Sequence, residues 1–178
     1  MNNKFLFNPF LVIAGLKSLL IGLLGLFLTS YFAYKTGTHF NGLLQINFAK
    51  DSDFWVYLVE NSSQWIILSI LLFAAGLILS RSKIRAIDIF GTTLFSRIPL
   101  LITPLIRTIP IFQSFVPQSA ANYLIGGICL ISLIWTIVLL FNAFKLSCNL
   151  KNEKLIVSFI VSIILSEVIT NIFLRVII

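Results

Sequence analysis

Long apolar runs alternate with short polar or basic stretches along the whole chain, and the alternation repeats five times. Each run approaches or exceeds the roughly 20 residues that a helix needs to cross a bilayer, and together they hold more apolar sequence than one aqueous core can bury. The pattern predicts helices over residues 16–34, 64–79, 89–109, 122–144 and 155–177. The fold class expected is therefore all-α: a polytopic helix bundle, one membrane domain over residues 1–178. Its connections are short except for Lys35 to Ser63. There DSDFWVYLVENSSQW predicts a short interfacial helix opened by Ser52 or Asp53 as N-cap, with Trp55 and Trp65 at the headgroup level; a recognition loop is the other reading.

Within the runs, polar and small residues keep helical spacing. In the first, Gly15, Ser18, Gly22, Gly25 and Thr29 fall on one face, where a neighbouring backbone can approach closely. In the fifth, Ser158, Ser162, Ser166 and Thr170 form one polar row, with Glu167, Asn171 and Arg175 beside it. The third run, DIFGTTLFSRIPLLITPLIRTIP, carries Thr93, Ser96, Thr103 and Arg107 in a three-and-four alternation with Leu100. Two polar rows in lipid are expected to face each other, which would place the third helix against the fifth.

Composition adds direction. Hydrophobic residues make up 58% and charged residues 11% of the chain, and the mean hydropathy is +1.03, which excludes an ordinary soluble domain. The net charge of +7 sits mostly in short loops and not in a solvated stripe, so nucleic acid is excluded as a partner. Eight Lys and Arg fall on one side (Lys4, Lys17, the 81–85 loop and the 145–154 loop), against Lys35, Lys50, Arg107 and Arg175 on the other. That count predicts a cytoplasmic N-terminus and, after five crossings, a C-terminus outside with no soluble tail. The basic start MNNKFLFNPF runs into the first apolar segment without a small-residue cleavage site, so that segment is expected to be retained. Cys129, within a span, and Cys148, in a loop, are not expected to form a disulfide.

Charges at bilayer depth carry the candidate chemistry. Arg97 lies nine residues past Asp88 and Glu167 twelve past Leu155, about 13 and 18 Å into the membrane from the same side. A guanidinium and a carboxylate satisfy each other there, so Arg97 is expected to pair with Glu167 across the third and fifth helices. The rivals are an Arg107–Glu167 pair and a protonated, unpaired Glu167. Pro99, Pro104 and Pro110 break the third helix, and the first two free the carbonyls of Phe95 and Leu100 for a side chain, a water or a solute. One histidine and two separated cysteines give no metal cluster, no phosphate loop or nucleophile elbow is present, and intramembrane proteolysis lacks its residues. No cofactor and no enzymatic activity are expected.

Five spans, a cytoplasmic N-terminus, NPF near the start and the segment AIDIFGTTLFSRIPLLITPL together resemble the Yip domain family of integral membrane proteins, in its bacterial branch. The motif maps onto Asp88, Gly91, Arg97 and Pro99. For bacterial members the resemblance implies a multi-pass protein of the inner membrane. Eukaryotic members meet small GTPases of the Rab type partly through a long cytoplasmic N-terminal region, which this chain does not match, so that activity is not carried over. The expected role is noncatalytic: organising or assisting membrane components, in contact with the bilayer and with other membrane proteins or a second copy. The competing role is a small transporter or channel for protons or a small solute, lined by the broken third span with Pro99 and Pro104 and by Glu167, with Asn171 one turn beyond.

Overall fold

The structure, a computed structural model, describes residues 8–49, 52–80, 82–113 and 120–177. Lys4, Lys50 and Arg81 of the charge count, and Pro117 to Ser119 of the connection after the third span, lie outside the described residues. Five helical segments are long and apolar enough to cross a membrane. They are α1 (Leu16–Thr36), α2 (Phe54–Leu79), the broken third segment, α5 (Ala120–Cys148) and α6 (Asn152–Ile177). The third comprises α3 (Ala86–Phe95), a 3-10 turn at Ile98–Leu101 and α4 (Ile102–Ile106).

The largest departure from the sequence pattern is at α2. It begins at Phe54, not at Gln64, and the polar stretch read as a separate interfacial helix is its first two turns and more. Asp53 does stand at the N-cap, in extended conformation, although its side chain makes no capping bond. Glu60, Asn61, Ser63 and Gln64 are buried on this helix, which is possible only because the rest of the bundle gives them partners. At the other end of the chain of helices Cys148 is the last residue of α5 and buried, not in a loop; a Cβ on Gly76 of α2 would stand 2.7 Å from its sulfur.

Between α1 and α2 lies a hairpin that the sequence pattern did not suggest. Gly37, at φ 63° and ψ 41°, ends α1 in the left-handed conformation and donates its N–H to Ala33 O. The chain turns directly into β1 (Thr38–Phe40), which pairs antiparallel with β2 (Ile46–Phe48) in the register Thr38–Phe48, His39–Asn47 and Phe40–Ile46. A ribbon of two three-residue strands has no stability alone. It is held by side chains from the helices beneath it.

Small residues decide which helices touch. The row on α1 packs on α3, the most extensive interface in the bundle: a Cβ on Gly22 would lie 2.8 Å from the Phe95 nitrogen, and one on Gly91 would lie 2.7 Å from Gly15 O. Glycine is thus required from both sides. The polar row of α6 is buried at Ser158, Ser162, Ser166 and Thr170 as its spacing predicts, but it faces α2. The expected packing of the third helix on the fifth is corrected accordingly: close backbone approach at Gly22 and Gly91 draws the third segment to α1, and α2 stands between it and α6. A core containing Phe40, Tyr57, Leu68, Leu72, Phe144 and Phe159 joins hairpin, α2, α5 and α6. A smaller one seats Phe10, from a turn at Pro9–Leu11, edge-on against Phe95 at 5.8 Å and against Leu139 and Ala143.

Candidate functional site

Arg97 sits where α3 gives way to the 3-10 turn, 6% exposed. One Nη donates to Gln64 Oε1 at 2.6 Å and more distantly to Asn61 Oδ1 at 3.5 Å; the other has no protein partner. Both acceptors are neutral amides on α2. The expected ion pair with Glu167 is therefore not formed. The reason is the packing: Arg97 is directed at α2 by the contact of α3 with α1, and α2 presents amides there, not an acid. Arg97 also borders a cavity of about 10 Å³ with Gly25, Thr29 and Asn61, near the smallest space that holds one water.

Gln64 continues the line. Its Nε2 donates to Phe40 O in the hairpin, while Phe40 N–H donates to Glu60 Oε2 at 3.1 Å. The other Glu60 oxygen lies 2.8 Å from His39 Nδ1, and the imidazole stacks on Tyr57 with centroids 4.3 Å apart. Glu60 is 3% exposed and His39 8%. This is the one Lys/Arg/His to Asp/Glu contact within 4 Å among the described residues. Glu60 and Gln64 stand four residues apart, so they project from one face of α2 and grip both the N–H and the C=O of a single hairpin residue.

The remaining polar residues predicted from sequence are distributed around this line. Glu167, partly buried on α6, accepts from Leu44 N–H at 2.9 Å, so it holds the loop of the hairpin and pairs with neither Arg97 nor Arg107. Its reading as unpartnered is also corrected, since the backbone amide fills that role. Asn171 donates Nδ2 to Glu167 O one turn back. Arg107 donates to Thr36 O at 3.3 Å and lies over the Phe48 ring at 3.9 Å. There a cation meets the exposed carbonyls at the C-terminal end of α1, the favourable end of its dipole. Residues 36 to 48 are thus pinned by Glu60, Gln64, Arg107 and Glu167.

The motif residues of the third segment have structural positions. Asp88 lies in the first turn of α3, partly exposed, and Gly91 is the point of closest approach to α1. Pro99 falls in the opening of the 3-10 turn, where Leu100 N–H reaches Arg97 O at 3.0 Å. Pro104 lies within α4, buried. The chain absorbs the prolines by rewinding into a tighter turn at Ile98–Leu101. Thr103, buried, meets Ser132 of α5 at 3.2 Å.

Sequence reasoning missed His39, Glu60, Asn61 and Gln64 as members of the intramembrane polar set. The signal was present: Tyr57, Glu60 or Asn61, Gln64 and Leu68 follow one another at three and four residues, the period of a helix face. It was masked by the density of polar residues, which lowers local hydropathy.

No family model, no curated protein and no solved structure matches this chain.

Proposed function

We propose that the chain is a noncatalytic, multi-pass protein of the cell membrane, Yip-like in kind, that organises or assists other membrane components. The observation that carries this reading is that the intramembrane polar groups are directed at one another and at the hairpin, with a cavity of only about 10 Å³ beside Arg97. A solute path needs groups that exchange partners along an open route; a fixed bundle needs groups that hold helices in register. The lysine and arginine count supports a cytoplasmic N-terminus, which would put the hairpin outside.

One observation favours the transport reading. Glu60, Phe40, Gln64 and Arg97 form an unbroken polar line from the hairpin end into the bundle. Proteoliposomes with an internal pH dye separate the two. The organising reading expects proton and solute leakage no faster than in protein-free vesicles. Leakage that the protein accelerates, and that Arg97→Gln or Glu167→Gln removes, would replace it with transport.

A further inference from the structure

At the hairpin end of the Arg97 line, where His39 and Glu60 stand, lies a pocket of about 450 Å³, within the size range of small-molecule sites. Three elements build it, each with one face. The hairpin contributes His39, Asn41, Gln45 and Asn47; the start of α2 contributes Val56 and Glu60, four residues apart; the end of α6 contributes Asn171 and Arg175, also four apart. Four of these side chains, Asn41, Gln45, Asn47 and Asn171, are amides, a concentration unusual in a chain where 58% of residues are hydrophobic. The hairpin thus has two unlike faces: Phe40 and Phe48 turn to the core and to Arg107, and the amides turn to the pocket.

Among the described residues, the charged groups that line the pocket are Glu60 and Arg175, and they are placed differently. Glu60 is buried and already accepts from Phe40 N–H and meets His39 Nδ1. Arg175 is exposed and makes no ion pair within 4 Å among the described residues. With Nδ1 held by Glu60 and the ring stacked on Tyr57, the imidazole's remaining polar atom is Nε2, and His39 borders the pocket.

We propose that this pocket binds a small solute carrying a carboxylate on an amide-bearing body, of the class of acylated amino acids and short peptide carboxy ends. Arg175 supplies the planar fork that suits a carboxylate, and His39, its Nδ1 engaged by Glu60, lines the same pocket. Asn41, Gln45 and Asn47 each donate and accept, as a ligand amide does. A cation fits less well, because Glu60 has both oxygens engaged and Arg175 stands at the rim.

The sequence holds one histidine, so ¹⁵N-histidine labelling of the full chain in lipid nanodiscs places a single reporter at the site. N-acetylglycine is the probe, and N-acetylglycinamide, the same body without the charge, is the control. N-acetylglycine is expected to move the His39 ring resonances saturably, with affinity about tenfold weaker for N-acetylglycinamide and about tenfold weaker for N-acetylglycine on Arg175→Gln. Equal responses to the two probes, a response that does not saturate, or unchanged affinity in Arg175→Gln would overturn the proposal. Arg175 is exposed, so its variant is expected to give the wild-type spectrum before probe is added. If it does not, the comparison of the two probes on the wild-type protein decides alone.

Discussion

The third segment is held in two ways that share almost nothing. Toward α1 it is held by the absence of atoms: Gly22 and Gly91 let two backbones meet, and the contact needs no polar partner. Toward α2 it is held by Arg97, whose long side chain reaches two amides across the bundle. Close packing of small residues fixes distance tightly and tolerates no added volume, whereas a guanidinium reaching amides fixes direction and tolerates small shifts. Lipid offers no hydrophobic drive between helices, so a broken, proline-rich segment needs both.

Breaking the first kind of contact is expected to have the largest effect. Gly91→Leu puts a side chain where Ser18 Oγ and Gly15 O stand within 2.7 Å of a bare Cβ, and the backbone atom cannot rotate away. A destabilisation of about 3 kcal/mol or more is expected, read as loss of folded protein in detergent unfolding followed by tryptophan fluorescence. A near-neutral Gly91→Leu would mean that the α1–α3 contact does not determine the packing.

Glu60→Gln comes next. It removes the charge that receives both His39 Nδ1 and Phe40 N–H, and about 2 kcal/mol is expected from bonds to a buried charged group. Hydrogen exchange at Phe40 should accelerate while amides at the centre of α5 keep their protection. Uniform acceleration through the bundle would show instead that the hairpin is not a separate unit.

The second kind of contact is best measured by double-mutant cycles. Arg97→Met and Gln64→Leu should couple by about 1 kcal/mol, because they share a hydrogen bond, while Arg97→Met and Glu167→Gln should add within about 0.5 kcal/mol. Coupling in the second cycle as large as in the first would restore the pair expected from sequence. The smallest effect is predicted for Glu167→Gln itself, about 0.5 kcal/mol, since the carboxylate is partly exposed and an amide oxygen still accepts from Leu44 N–H. Gly42→Ala should be non-additive with Glu167→Gln, because a Cβ on Gly42 would displace the Glu167 carboxylate, the free end of a flexible side chain.

The number and alternation of the helices, the small-residue face of α1 and the buried hydroxyl row of α6 were legible in the sequence. Each is a property of neighbours along one helix: length, hydropathy and the repeat of three and four residues carry it without reference to any other segment. The start of α2 was misread for a related reason. Glu60, Asn61 and Gln64 lower the local hydropathy, and nothing within ten residues shows that the hairpin and Arg97 will satisfy them.

What only the tertiary structure decided is the choice of partners. From sequence, Arg97 and Glu167 were expected at comparable depth with opposite charge, and that made each the natural answer to the other. In the folded chain Gly22 and Gly91 seat the third segment on α1, α2 intervenes, and Arg97 meets Gln64 while Glu167 meets Leu44. Depth and charge are local and can be read from one span; direction around the helix bundle depends on how all five pack, and it is direction that selects which two groups meet.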